Sequence, residues 1–304
     1  MLRRARSGGE GEQPSTTTRL VISPPGAVGP PPWGESDTAV ETFRNTDGSV
    51  WGQSYERGEE RWLRLPGIGS FRFGSSGGEA VVVAEPGVAA DVLTDAYHRA
   101  VLPVALHAHG QEALHASAVM IAESVVAVCG PSQAGKSTTA FALQRRGHRV
   151  WADDAVVFDA RTSSTFAIPY PHRLRIRRVA AEHFGLRDAL DGSGESLQYE
   201  QAQTNPAPLA CIFVLERRDE IVSAVEPVRL TATDAFIALI PNGYWFRLRN
   251  PERRRVTIER YLALSAEVPV FKIVLGASLE YLPKLLDSIE ETVEAIGVGN
   301  RDAS

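Results

Sequence analysis

The sequence predicts a fold of the α/β or α+β class, in which helices cover a sheet around one dominant core. Two apolar, β-branched segments, residues 116–120 and 124–129, are typical of strands. A glycine-rich loop follows the second segment and opens a helix over residues 136–146, and a short strand over residues 149–152 comes next. This strand–loop–helix–strand order is typical of α/β proteins. A hydrophobic content of 43% in 304 residues is enough for a substantial core.

The chain before this unit divides into two predicted regions. Residues 1–39 are rich in Gly, Pro and Ser, and because such a composition buries too little apolar surface to order itself, we expect a disordered tail. Residues 40–110 are expected to form a small β-rich region, since short aromatic and β-branched runs alternate there with glycine turns. That region ends in a helix over residues 91–107, which Pro103 is expected to bend or end.

Residues 111–298 are expected to form the remaining, larger domain. Its later elements are a hairpin over residues 155–160 and 164–168, a strand over 208–215, helices over 233–240 and 256–264, a strand over 270–275 and an amphipathic helix over 279–296.

Composition excludes several classes of function. The net charge of −5 gives no strong field toward nucleic acid or an anionic membrane, and no apolar run approaches the ~20 residues that span a bilayer. Cys129 and Cys211 are too few for a disulfide framework and lack zinc-site spacing. We therefore expect a cytoplasmic protein that binds neither nucleic acid nor membrane.

The residues from Gly130 to Ser137 match the phosphate-binding pattern G-x-x-x-x-G-K-[S/T]. The alternative, a plain glycine turn, is disfavoured because the motif follows an apolar strand and opens a helix. Lys136 is the expected γ-phosphate ligand and Ser137 the expected Mg²⁺ ligand. The expected nucleotide-binding set is Gly130, Ser132, Gln133, Ala134, Gly135, Lys136, Ser137 and Thr138.

An acidic pair, Asp153 and Asp154, follows the strand over residues 149–152. That strand is expected to run parallel to, and near, the strand that precedes the loop, so both deliver their carboxyl ends to one sheet edge. One carboxylate can then hold Mg²⁺ and the other can accept a proton from an attacking hydroxyl. The alternative is an ordinary turn opened by Asp.

His115, in Leu-His-Ala-Ser-Ala-Val, completes a recognisable outline with the loop, with Arg-Gly-His at residues 146–148 and with Ala-Asp-Asp at residues 152–154. This outline resembles the catalytic domain of HPr kinase/phosphorylase. It is closer to the HPr-kinase-like proteins of bacterial ribosomal peptide pathways, notably those that phosphorylate lasso peptide precursors. An isolated histidine before a strand is otherwise most often structural.

The resemblance implies a P-loop kinase fold related to phosphoenolpyruvate carboxykinase, with ATP and Mg²⁺ as cofactors. It implies that Asp153 is the general base, that Asp154 assists the metal and that His115 orients or tunes Asp153. Two departures argue against HPr as substrate and against a reverse phosphorylase activity. Thr138 stands where HPr kinases usually have Glu, and no Glu-x-Arg-Gly-x-Gly stretch follows the Asp pair.

Two basic patches and one aromatic run are open to more than one interpretation. Arg173, Arg175 and Arg177 would share one strand face, either as a rail for phosphates or a peptide carboxylate or as a solvated face. Residues 253–255, three arginines, are interpreted as an exposed run. The run Tyr-Trp-Phe at residues 244–246 is interpreted as buried, with a peptide-facing lid as the alternative.

The expected function is transfer of the γ-phosphoryl group of ATP to a serine hydroxyl of a ribosomally made precursor peptide, with Asp153, His115 and Lys136 as the catalytic residues. The first alternative is a small-molecule or HPr-like protein kinase, and the second is a regulatory P-loop ATPase. Whether GTP replaces ATP and whether the protein forms a homo-oligomer are left open by the sequence.

Overall fold

Strands in the part of the chain that the computed structural model describes form a six-stranded sheet, a nine-stranded sheet and a two-stranded ribbon. The described residues are 19–23, 39–44, 47–58, 60–74, 78–160, 164–170, 173–186, 198–200, 205–218, 226–244, 251–276 and 278–301. Helices cover the sheets, which confirms the predicted mixture of helix and strand.

The N-terminal sheet has the order β1-β6-β5-β4-β3-β2. Its strands are β1 (Arg19–Ile22), β2 (Glu41–Arg44), β3 (Val50–Arg57), β4 (Glu60–Leu65), β5 (Gly69–Gly74) and β6 (Glu79–Ala84). Leu63, Phe71 and Val82 pair across β4, β5 and β6 and are fully buried, as the aromatic and β-branched alternation predicted.

The predicted disordered tail is wrong for one segment. β1 lies within residues 1–39 and pairs in parallel with β6, from Arg19 opposite Glu79 to Ile22 opposite Val82. The segment contains the short apolar run Leu-Val-Ile, which is suited to a strand. It pairs with the edge of β6, and composition alone did not indicate this pairing. The rest of the predicted tail, apart from residues 23 and 39, lies outside the described residues.

The helix predicted over residues 91–107 consists of three consecutive helical segments. They are α1 (Ala90–Ala96), a π-helical turn (Tyr97–Val101) and α2 (Leu102–Ala108). Pro103 lies in the first turn of α2, where its missing N–H is tolerated, so the helical path continues through it. Leu93, Tyr97 and Val101 are buried against the N-terminal sheet.

The large sheet has the order β10-β8-β9-β15-β12-β11-β7, and β17 pairs with β15 and with β16. Its strands are β7 (Glu112–Leu114), β8 (Ala116–Ile121), β9 (Ser124–Cys129), β10 (Arg149–Ala152), β11 (Val156–Asp159), β12 (Phe166–Ile168), β15 (Ala207–Arg217), β16 (Val228–Arg229) and β17 (Val270–Leu275). The ribbon pairs β13 (Arg173–Arg175) with β14 (Gln198–Glu200).

Helices pack on both faces of this sheet. They are α3 (Lys136–Arg145), α4 (Arg178–His183), α5 (Ala232–Leu239), α6 (Pro251–Glu267) and α7 (Leu282–Arg301). β9 is buried on both faces: Val126 and Val128 pack in one core with α3 and α7, whereas Val125 and Ala127 pack in another with α5 and α6. No helix among the described residues is both long enough and apolar enough to cross a bilayer.

The predicted relation between β10 and the strand before the loop is confirmed in direction. β8 lies between them and is antiparallel to both β9 and β10. β10 therefore runs parallel to β9 with one strand between them, and both strands end at the same sheet edge.

A buried ionic cluster fixes the start of β7. The Glu112 carboxylate, 1% exposed, accepts hydrogen bonds from Arg253 at 2.6 Å and from Arg260 at 3.2 Å, and lies 3.2 Å from His107 Nδ1. Burial raises the pKa of Glu112, but the His107 and Arg253 contacts outweigh it and bring the pKa to about 2. The interpretation of residues 253–255 as an exposed run is therefore wrong for Arg253, while Arg255 is exposed.

Candidate active site

The phosphate-binding loop joins β9 to α3 and needs its glycines for steric reasons. Gly130 has φ +144° and Gly135 has φ +103°, conformations that L side chains rarely adopt. A Cβ on Gly130 would lie 2.7 Å from Leu215 O, and one on Gly135 would lie 2.8 Å from Arg217 Nη2. The first turn of α3 leaves backbone N–H groups without intrahelical partners, which is the usual anion site at a helix N-terminus.

Lys136 lies across the loop. Its Nζ donates to Gly130 O at 2.9 Å and to Pro131 O at 3.2 Å, and the side chain is buried. Burial lowers the pKa of Lys136. The negative charge of a phosphate group at the loop would raise this pKa again and favour the charged ammonium. The predicted phosphate ligand therefore lies at the loop, where its ammonium group contacts two backbone carbonyls.

Asp153 is buried behind the loop, with 2% of its surface exposed. Its Oδ1 accepts hydrogen bonds from Ser117 Oγ at 2.5 Å and from Ser137 Oγ at 2.9 Å, and its Oδ2 accepts one from the Arg175 backbone N–H at 3.2 Å. Burial, assisted by the neighbouring Asp154 carboxylate, raises the pKa of Asp153 to about 7. The structure thus joins the predicted metal-binding hydroxyl directly to one carboxylate of the pair.

This raised pKa predicts a pH-dependent stability. Between pH 4 and pH 7 the folded state binds a proton at Asp153 that the unfolded state has lost, so stability falls as pH rises through this range. We expect the melting temperature of ligand-free protein to fall by several degrees between pH 5 and pH 8, at about 2–4 °C per kcal/mol. The measurement is a calorimetric or fluorescence melt at each pH, in the presence of a chelator.

The matched variants for this melt are Asp153→Asn and Asp287→Asn. Asparagine at position 153 keeps the shape and removes the titration, so its slope should flatten. Asp287 is exposed on α7 beside Arg146, and its replacement should leave the wild-type slope in place. A wild-type slope that survives Asp153→Asn would contradict the assignment.

Asp154 is held differently from its neighbour. Its backbone has φ +64°, and its carbonyl accepts hydrogen bonds from Tyr244 OH at 2.7 Å and from His115 Nδ1 at 3.0 Å. Such left-handed backbone in a non-glycine residue persists only where the surroundings enforce it. The Asp154 side chain is 31% exposed and lies 3.4 Å from Arg99 Nε.

His115 contacts Asp154 rather than Asp153, which corrects the expectation from the resemblance. Because a carbonyl only accepts, Nδ1 of His115 carries the proton and Nε2 carries the lone pair. Burial, and then the Lys136 charge, lowers the pKa of His115, so the ring is neutral. Tyr244 packs against this ring edge-on, with the centroids 6.1 Å apart.

A cavity of about 650 Å³ opens in front of the loop, and we call it the phosphate cavity. Its lining includes Ser132, Gln133, Gly135, Lys136, Ser137, Thr138, His115, Asp154, Arg99, Arg175, Arg177 and Arg217. Asp154 lines it and Asp153 does not, because Asp153 is enclosed by Ser117, Ser137 and Arg175. The two acids of the pair therefore differ in access to a ligand.

The prediction that three arginines share one strand face holds for Arg173 and Arg175 of β13, whereas Arg177 lies beyond the strand as the N-cap of α4. Leu174 is 1% exposed, so Arg173 and Arg175 point to the opposite face. Arg175 and Arg177 line the phosphate cavity, whereas Arg173 and Arg175 both pair with Asp95 of α1. Arg175 and Arg177 therefore belong to the site, which favours the phosphate interpretation for these two arginines over a solvated face.

Sequence reasoning missed several residues of the site. Asn242 Oδ1 accepts from Gly130 N–H at 3.0 Å, and its backbone oxygen accepts from His115 N–H at 2.6 Å. Arg217 Nε donates to Ala134 O at 3.0 Å, and its place at the carboxyl end of β15 was a signal that could have found it. Tyr244, interpreted as buried with a peptide-facing lid as the alternative, contacts His115 and Asp154, and residues 245–246 lie outside the described chain.

The carboxylates and the loop hydroxyl match the preferences of Mg²⁺. Across the described residues, no three His, Cys, Asp or Glu side chains converge as a protein-only metal site would require. Mg²⁺ is usually held by one or two carboxylates together with substrate phosphates. Ser137, with Asp153 at 2.9 Å and with Asp154 lining the same cavity, fits that mode.

No protein-family model matches the chain, and no curated protein matches its sequence. Among solved structures, the HPr(Ser) kinase/phosphatase from Coxiella burnetii is similar over 63% of this chain and 94% of that chain, with 15% sequence identity and a TM-score of 0.35.

Proposed function

We propose that this protein transfers the γ-phosphoryl group of ATP to a hydroxyl group. One observation carries the proposal: Asp153 Oδ1 lies 2.9 Å from the loop hydroxyl of Ser137, while the adjacent Asp154 opens onto the phosphate cavity. In-line phosphoryl transfer at a phosphate-binding loop requires a carboxylate near the metal ligand and a second carboxylate that can reach the acceptor. Asp153 next to Ser137 and Asp154 at the cavity meet these two requirements.

The two carboxylates have different proposed roles, exchanged with respect to the resemblance. Ser137 and Asp153 would hold Mg²⁺, since their side chains already contact each other next to the loop. When bound, the ion neutralises charge on the β- and γ-phosphate oxygens. Asp153 is too enclosed to reach an acceptor hydroxyl, with 2% of its surface exposed.

Asp154 is the proposed general base. The acceptor oxygen forms a bond to the γ-phosphorus, the bond from that phosphorus to the bridging oxygen of ADP breaks, and the acceptor proton passes to the Asp154 carboxylate. His115 and Tyr244 hold the Asp154 backbone through its carbonyl, so they position this base. Lys136, Arg177 and Arg217 supply positive charge at the cavity.

We further propose that the acceptor is a serine of a precursor peptide. The support is the sequence resemblance, including Thr138 in place of the acidic residue of HPr kinases. Thr138 lines the phosphate cavity, so a threonine there in place of an acid changes the charge of the surface that the ligand would contact.

The test is incubation with ATP labelled at its terminal phosphate, Mg²⁺ and two acceptors, a serine-containing peptide and a small alcohol. We expect label on the peptide serine, identified by mass spectrometry, and GTP as a competitor settles the nucleotide preference. Label only on the alcohol would favour a small-molecule kinase. Label released only as inorganic phosphate would contradict the kinase proposal and favour an ATPase.

A further inference from the structure

A second cavity adjoins the phosphate cavity and differs from it in chemistry. It has a volume of about 590 Å³, lies between the N-terminal sheet and α1, and we call it the apolar groove. Its apolar walls include Phe43, Trp51, Leu65, Ile68, Val92 and Ala96. A volume of this size is typical of sites for small ligands or for a few side chains.

The two cavities share three residues, which lie where one meets the other. Arg99, His115 and Asp154 line both, so the proposed base faces the groove as well as the phosphates. Asp95, which pairs with Arg175, is a further polar residue of the groove. An acceptor lying in the groove would therefore have its hydroxyl at Asp154 and the rest of its structure against apolar side chains.

The groove presents aromatic and aliphatic surface to solvent. Trp51 is 39% exposed and stacks on Phe43 with the ring centroids 4.9 Å apart, and Val92 on the facing helix is 43% exposed. A contiguous exposed apolar patch with polar residues at its rim marks an interaction site more often than scattered apolar side chains do. Tryptophan is one of the side chains that contribute most binding energy at protein interfaces.

We propose that the apolar groove binds the acceptor, and that the acceptor is a peptide with bulky apolar residues next to the phosphorylated serine. This inference rests on the proposed function, and it adds the substrate class. Because the phosphate cavity, at about 650 Å³, has its own volume for a nucleotide, the groove is free for the second substrate.

The test measures binding separately from transfer. The probes are two dye-labelled heptapeptides with Ala in place of the acceptor Ser, one flanked by Phe and Leu and one flanked by Gly, each titrated by fluorescence anisotropy with ATP and Mg²⁺ absent. We expect the Phe/Leu peptide to bind and the Gly peptide to bind at least about tenfold more weakly.

Trp51→Ala is expected to weaken binding of the Phe/Leu peptide about tenfold, and Leu262→Ala, at an exposed apolar position of α6 outside the groove, is expected to leave it unchanged. Val92→Thr is a milder second variant for the case that Trp51→Ala disturbs β3. Its control is Ile237→Thr on the exposed face of α5. The corresponding Ser peptides then report KM, which should rise in the groove variants for the Phe/Leu peptide alone.

Three results would overturn the inference. If Trp51→Ala weakens ATP binding but not tripolyphosphate binding, the groove holds the nucleotide base. If neither peptide binds the wild type, the groove is covered by this chain's own residues or by a second copy. If both peptides respond equally to the variants, apolar flanking residues do not matter. Peptide binding at Trp51 without any label transfer would instead refute the kinase proposal and leave the groove assignment standing.

Discussion

The Asp154→Asn variant is expected to lower kcat by about 10²–10⁴-fold, while its affinity for ATP and its Mg²⁺ requirement stay close to those of the wild type. Asparagine keeps the size of the side chain and cannot take up the acceptor proton. The backbone carbonyl that His115 and Tyr244 hold is unchanged by the substitution. The measurements are steady-state transfer to a serine peptide and nucleotide titration by calorimetry.

Asp153→Asn is the matched variant, because it makes the same chemical change at the adjacent residue. Since Asp153 contacts Ser137 on the metal side, we expect the Mg²⁺ concentration for half-maximal activity to rise about 10–100-fold. The opposite pattern would contradict our division of roles. In that pattern Asp153→Asn abolishes transfer at any Mg²⁺ concentration, and Asp154→Asn changes only the metal requirement, as the resemblance implied.

Lys136→Met is expected to lower kcat/KM for ATP by about 10²–10³-fold, a loss comparable to removing one charge-stabilising donor from an active site. Methionine keeps the length and the packing of this buried side chain and removes the ammonium group that would contact the phosphates. The loss should appear in nucleotide binding as well as in transfer, unlike the loss in Asp154→Asn.

Lys284→Met on the exposed surface of α7 is the control for this charge removal. It should leave ATP kinetics unchanged, and a thermal melt of both variants shows whether they fold. Wild-type ATP affinity in a folded Lys136→Met protein would show that the loop does not bind the γ-phosphate as proposed.

The predictions from sequence were best where the signal is local. The loop from Gly130 to Ser137 is a set of consecutive residues whose spacing itself specifies a turn and a helix start. β15 and β17 were predicted because a short continuous run of apolar, β-branched residues is typical of a strand buried inside a sheet. The strand direction of β10 followed from the short helical connection before it.

The errors have a common physical cause. Composition gave no sign that Arg19–Ile22 would find a sheet edge, since its partner β6 lies about 60 residues further along the chain. Arg253 was assigned to an exposed run because three arginines are hydrophilic, yet the Glu112 carboxylate, 141 residues away, holds it at the core. Both the pairing of β1 and the burial of Arg253 depend on partner residues that lie far away in the sequence, so the residues around each position do not reveal them.

The sequence by itself determined that this protein has a loop with the phosphate-binding pattern and that an acidic pair follows it at the same sheet edge. Both properties depend on short stretches of chain and on the direction of two strands. Only the tertiary structure decided that Asp153 is enclosed on Ser137, that Asp154 opens to the cavity, and that a groove lined by Trp51 adjoins it. Burial and cavity shape arise from contacts between distant segments, so adjacent and chemically identical residues can differ in role only once the chain has folded.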